Sequence, residues 1–184
     1  MDVNQATREV ERRLEDLKQF TSTHGNGCTR LPFSKETREA AEYLKEEMRK
    51  AGLEVREDTV GNVIGVLPGR DRTKPAIVNG SHYDSVYNGG NYDGIAGVVV
   101  AIEIAAQLNA AGVQLERDYV VVAFMDEEGC RFGTGYFGSK SILGQMTVEE
   151  CKHFTDKDGI SVYSAMRDYG LVPEKIPEAA WDPD

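Results

Sequence analysis

Apolar positions recur with two different periods along the chain, and the switches between them mark out its elements. Val10, Leu14, Leu17 and Phe20 fall at helical spacing among Arg, Glu and Asp, predicting an amphipathic helix over residues 4–21. A polar loop with Gly25 and Gly27 interrupts it. Ser34 stands where an N-cap belongs, ahead of Ala40, Tyr43, Leu44 and Met48, and Gly52 follows where a left-handed cap ends a helix at Ala51. Residues 53–58 and 62–67 read as two strands around a turn at Gly61, and 75–80 as a third, apolar strand that runs into Ser81-His82-Tyr83-Asp84.

Beyond a loop rich in glycine and asparagine (88–94), Ile95, Val98, Ile102 and Ala105 share one helical face, with Glu103 and Gln107 paired on another. Residues 119–125 form a continuous β-branched run, the signature of a strand buried on both faces, and it terminates in Asp126-Glu127-Glu128-Gly129. Residues 139–143 look helical, Thr147 and Glu150 form a capping box for another short helix, and 159–169 suggests a third. Half of the six prolines (Pro173, Pro177 and Pro183) fall after Leu171, so 171–184 is expected to be a linker that stops before any partner element. Strands alternating with helices predict an α/β fold, a mixed sheet with helices on both faces.

With 184 residues the chain fits one domain with a core of its own. Its 21 basic and 31 acidic residues leave a net charge of −10, which supplies no footprint for nucleic acid. Cys28, Cys130 and Cys151 are an odd number without CxxC spacing, which argues against a disulfide framework and for a reducing cytoplasm. Met1-Asp2-Val3-Asn4 leads into alternating charges rather than a signal peptide, and the most apolar stretch (94–108) is too short to span a bilayer, so no membrane partner is expected.

Two strand ends carry the candidate chemistry. Positions 82 and 84 alternate onto the same side of a strand, so Asp84 can accept one ring N–H of His82 and leave the other nitrogen to a metal. Asp93 lies at the end of the following loop, just before a helix. Glu127 and Glu128 close the buried strand, and adjacent carboxylates repel unless water or a cation offsets their charge. Taken singly, these are a satisfied histidine beside a capping aspartate, and a solvated strand end. Together they sit at the carboxyl ends of strands, where open α/β sheets bind ligands. Imidazole with carboxylate suits zinc, manganese or cobalt, and one carboxylate bridging two cations about 3.5–4 Å apart is a hydrolytic arrangement. In that division Asp93 bridges, His82 and Glu128 each hold one ion, and Glu127 is the base.

The segments 80–86, 88–94 and 126–132, with Gly138-Ser139, resemble the hydantoinase/carbamoylase branch of the dinuclear zinc-peptidase family (peptidase family M-twenty). That branch includes N-carbamoyl-L-amino acid hydrolases, allantoate amidohydrolases and β-ureidopropionases. Thr29-Arg30-Leu31 with Ser34, Ala51-Gly52-Leu53, and Asp58 with Gly61-Asn62 extend the likeness over 29–144. The resemblance implies a zinc-exopeptidase-like layered fold and two divalent ions (zinc, or manganese or cobalt). It implies a small N-carbamoyl or ureido substrate, cleaved at a linear amide or ureido C–N bond, and a homodimer for the full-length protein. It gives His82, Asp93 and Glu128 the role of metal ligands, makes Glu127 the proton shuttle and Asp84 the orienter of His82, and implies a cis peptide at Asp93–Gly94.

Members of the branch also supply two further histidine ligands and an inserted lid domain, which are not found in this sequence. Residues 1–170 are therefore expected to be the N-terminal part of a metallo-amidohydrolase catalytic domain, incomplete at its C-terminus. Its metal sites would be partial or empty, and alone it would be inactive.

His24, in a loop, and His153, on a short helix, are poor substitutes for the absent ligands. Cys130 reads as a wall residue, its thiolate disfavoured by the nearby acids, and Arg131 as a partner of the acidic cluster. A P-loop reading of 133–140 fails because Ser139 separates Lys140 from the second glycine, and an EF-hand register from Asn91 puts Ile95 where an oxygen ligand is needed. The remaining alternative is a non-catalytic fragment or relic acting as a partner or binding module.

Overall fold

The computed structural model describes residues 3–182; Pro183 and Asp184, with which the expected linker closes, and the first two residues of the N-terminal reading lie outside them. The elements are α1 (Val3–Leu17), α2 (Lys35–Lys50), β1 (Glu54–Glu57), β2 (Val63–Leu67), β3 (Ile77–His82), α3 (Ile95–Ala110), β4 (Tyr119–Phe124), α4 (Phe137–Ile142), α5 (Val148–His153) and α6 (Val162–Asp168), followed by a 3-10 helix (Pro173–Ala179). The sheet order is β1-β2-β4-β3. β2 runs antiparallel to β1 and β4, whereas β3 and β4 are parallel, so the sheet is mixed.

Period-two alternation in β4 sorts its side chains between two layers. Tyr119, Val121 and Ala123 join Val63 under Leu44 and Met48 of α2 and Val98 and Ile102 of α3. Val120 and Val122 turn the other way, onto Ile64, Ile142 of α4 and Trp181. β4 is thus covered on both faces, as its unbroken apolar run predicts.

Three expectations need adjusting. β3 lies two residues later than the sequence pattern places it, because its parallel register with β4 runs from Ile77 opposite Tyr119 to His82 opposite Phe124. It is also an edge strand, with Ile77 and Val78 exposed. α1 ends at Leu17, and residues 18–20 continue it only as i→i−3 turns. The stretch after Leu171 does not run free as a linker: Pro173 opens the 3-10 helix, where its missing N–H costs nothing, and Ile176 and Ala179 enter the core.

The helices on the α2–α3 side are tied together by charge as well as by apolar contact. Arg13, buried on α1, donates to Glu47 of α2 at 2.9 Å and to Glu103 of α3 at 2.6 Å. Glu103 also accepts from Gln107 at 2.7 Å, the pairing predicted on α3.

Candidate metal centre

His82 is the last residue of β3 and is buried. Its Nδ1 lies 3.1 Å from the backbone carbonyl of Asp84 and 3.6 Å from the Asp84 carboxylate, so the carbonyl is the hydrogen-bonding partner. An Nδ1–H donated there leaves Nε2 facing Asp93 Oδ1 at 3.8 Å and Glu127 Oε2 at 3.7 Å. Gly94 makes this approach possible: a Cβ on it would stand 2.3 Å from the imidazole, and its φ of +66° is one that L side chains rarely adopt. The Asp93–Gly94 bond is trans, contrary to the family expectation, for no cis peptide occurs among the described residues. The turn into α3 is made by the positive φ of Gly94 instead.

Asp84 does something the sequence does not suggest. Its two carboxylate oxygens accept the backbone N–H groups of Glu127 at 3.0 Å and Glu128 at 3.3 Å, so it fixes the opposite strand end more directly than it orients the imidazole. At Asp126 the chain takes a left-handed φ of +55°, which buries the Asp126 side chain and leaves Glu127 and Glu128 facing the site. The acidic run is therefore split, one carboxyl inward and two outward. Among the described residues the Asp126 carboxyl has no hydrogen-bond partner, and burial, with the Asp84 charge behind it, pushes its pKa well above the ordinary carboxylate value.

Ligand atoms of His82, Asp93 and Glu128 lie within 4.8 Å of one another. The Asp93 side chain is 70% exposed, yet it contributes an oxygen to this group, so its exposure is to the mouth of the site. Crowding of acids has electrostatic consequences. Burial raises the Glu128 pKa, opposed by His82 and reinforced by Asp93, Glu127 and Asp84. For His82, burial alone favours the neutral ring, but the Asp84 and Glu127 carboxylates outweigh it and push the imidazole up to about 9. A proton on this ring partly offsets the carboxylates, which is the task a cation would take over. One imidazole among oxygen donors at this spacing fits a divalent ion of the zinc, manganese or cobalt class.

Other sequence candidates fall elsewhere. His153 is held at the exposed end of α5, its Nδ1 2.7 Å from the Glu149 carbonyl, and neither it nor His24 belongs to the cluster. Arg131 does pair, though not with the acidic cluster: it donates to Asp156 at 3.1 Å and to the Pro32 carbonyl at 2.8 Å. Cys130 is half-buried with a free thiol. Asp58 and Asn62, which the sequence marked only as part of the family likeness around Gly61 and gave no role, hydrogen-bond to each other at 2.8 Å, and Asn62 accepts the Met125 N–H at the end of β4.

The profile of Peptidase family M28 matches residues 62–180. The N-carbamoyl-L-amino acid amidohydrolase of Geobacillus stearothermophilus is 42% identical over 173 residues, 93% of this chain and 42% of that protein. The allantoate amidohydrolase of Bacillus subtilis is 38% identical over 158 residues, 86% of this chain and 38% of that protein. The crystal structure of a hydantoinase/carbamoylase family amidase from Burkholderia ambifaria superposes with a TM-score of 0.83 at 29% identity, covering 90% of this chain and 41% of that one. The chain thus spans about two fifths of the length of these relatives. The matching profile carries a different family number from the one the motifs suggested, while the carbamoylase-type likeness is as expected. The chain belongs to peptidase family M28, and the relatives it resembles over most of its length are amidohydrolases of the hydantoinase/carbamoylase type.

Proposed function

We propose that this chain carries the metal-binding half of an amidohydrolase that cleaves a linear amide or ureido C–N bond, with N-carbamoyl-L-amino acids as the favoured substrates. The observation that supports this reading is the convergence of His82, Asp93 and Glu128 donor atoms within 4.8 Å, beside Glu127. Two divalent ions held there, with Asp93 as the bridge, would polarise the scissile carbonyl and make water more acidic. Glu127 takes a proton from the attacking water and hands it to the nitrogen that leaves as the C–N bond breaks. Asp84 holds the Glu127 and Glu128 backbone in place.

Each ion would have two ligands from these residues, against the three that a catalytic metal usually takes from protein. Binding by the chain alone is accordingly weaker than in a complete site. The favoured substrate rests on the carbamoylase relatives. A cytoplasmic setting is supported by three free thiols, and no helix among the described residues is long and apolar enough to cross a membrane. The homodimer implied for the whole protein is part of the same reading, checked by light scattering.

The test is titration with Zn²⁺, Mn²⁺ or Co²⁺, followed by assay of amino acid and ammonia release from N-carbamoyl-L-amino acids and allantoate. It is run on the chain and on a longer polypeptide containing it. Expected is turnover in the longer polypeptide that vanishes in Glu127→Gln with metal content unchanged. A metal-loaded longer polypeptide that releases neither product would overturn the reading.

A further inference from the structure

We infer that Asn62 is a positioning residue for Glu127 and Glu128, acting through the backbone of Met125 and Gly138 without touching the metal-ligand cluster. The inference rests on the proposed metal centre for its functional meaning, and on hydrogen bonding for its geometry. Asn62 is fully buried, ahead of β2. Its Oδ1 accepts the Met125 N–H at 2.9 Å, and its Nδ2 donates to the Gly138 carbonyl at 3.2 Å.

Those two residues are the two rails of the acidic turn. Gly138 N–H donates back to the Met125 carbonyl, Phe137 N–H to Asp126 and Tyr136 N–H to Glu127, each at 2.9 Å. The 125–127 segment is therefore laced to 136–138, and the Asn62 carboxamide spans both at the end of the lacing. Glycine is required at 138, because a Cβ there would lie 2.2 Å from Asn62 Oδ1 and under 3 Å from the Met125 backbone. On the far side, Glu127 and Glu128 are caught by Asp84. The backbone that carries the two carboxylates is thus held on one side by Asp84 and on the other by Asn62.

The amide is not free to flip. Asp58 accepts the Asn62 Nδ2–H at 2.8 Å, and its other oxygen accepts the Val60 and Asn62 backbone N–H groups at 3.0 and 2.9 Å. Nδ2 is thereby directed to Asp58 and Gly138, and Oδ1 to Met125. A buried network satisfied this completely specifies one arrangement, whereas a half-satisfied one loses it.

The test compares wild type, Asn62→Asp and the exchange Asp58→Asn/Asn62→Asp. In the single variant two carboxylates face each other and the Gly138 carbonyl loses its donor; in the exchange, the introduced amide at 58 can donate to the introduced carboxylate at 62, which still accepts from Met125, while the Gly138 carbonyl stays without a donor. Two readouts are taken, the affinity and visible spectrum with Co²⁺, and the backbone amide resonances of Glu127 and Glu128 without metal. Expected is a loss of ~10-fold in Co²⁺ affinity with a shifted band in the single variant, recovered to within ~3-fold in the exchange, and amide resonances that move in the single variant and return only in part in the exchange. If the single variant does not fold, the exchange decides alone: displaced Glu127 and Glu128 resonances support the inference, and wild-type ones in a folded protein, with the Gly138 bond gone, overturn it. Unmoved resonances in a folded single variant also overturn it. Wild type that binds no Co²⁺ would refute the metal centre, while the amide resonances would still judge the role of Asn62.

Discussion

The carboxylate of Asp84 accepts the backbone N–H of Glu127 at 3.0 Å, joining the end of β3 to the end of β4 by a bond between a side chain and the main chain. Its second oxygen takes the next N–H, that of Glu128. Asp84→Ala leaves both donors without this partner at a half-buried turn. Unfolding in urea should show a loss of about 1–3 kcal/mol, and metal affinity should fall ~10–100-fold. Unchanged values for both would remove Asp84 from the support of the site.

Metal uptake should release a proton. His82 is held up to about 9 from an ordinary 6.5, so at neutral pH the metal-free ring is protonated and an incoming ion must displace that proton. Apparent affinity should rise ~tenfold per pH unit until pH reaches about 9, and calorimetry in buffers of different ionisation enthalpy should count about one proton. In the metal-free chain the sign is opposite. The stabilisation from the raised pKa is complete below 6.5 and disappears as pH climbs through about 9. A pH-independent metal affinity between 6.5 and 9 would contradict both statements.

Gly94→Ala should be among the most damaging small changes at the site. The added methyl would meet the His82 ring at 2.3 Å, and φ of +66° is costly for alanine. The expected result is a lower melting temperature together with a metal affinity reduced ~10-fold or more. Wild-type metal binding in this variant would mean that His82 is not a ligand.

Away from the site, Arg13→Met should cost about 3 kcal/mol, because it strands the buried Glu47 and Glu103 carboxylates. Glu47 keeps Arg12 and Lys50, which limits the loss. Glu47 also predicts the course of acid unfolding. Burial alone would raise its pKa, but the side chains of Arg12, Lys50 and Arg13 hold it down at about 2 against an ordinary 4.5. Its contribution is present above 4.5 and is lost as pH falls towards 2. Glu47→Gln should flatten that part of the stability profile measured by chemical denaturation.

Much of this was legible in the chain itself because the signals are local. Hydrogen-bonded caps at Ser34 and Thr147 make α2 and α5 readable from neighbouring residues, and the β-branched run of β4 declares a strand covered on both faces. The edge position of β3 was not legible, since Ile77 and Val78 look like core residues until the sheet order shows nothing packed beyond them among the described residues. Nor was the packed 3-10 helix, because proline marks the end of regular structure and says nothing of what the next turn leans on.

For the site, the residue types at 82, 93, 127 and 128 and their places after strands were enough to nominate a metal centre, because ligand chemistry is a property of side chains. The sequence alone also determined the acidity, the absence of a basic footprint and the alternation of strands with helices. Only the tertiary structure decided that Asp84 grips the main chain of Glu127, that Asp126 turns inward, and that Asn62 bridges Met125 and Gly138. These are bonds between residues tens of positions apart, and their partners are mostly backbone groups. Every residue carries the same N–H and C=O, so no pattern of residue types can announce which of them a buried carboxylate or carboxamide will meet.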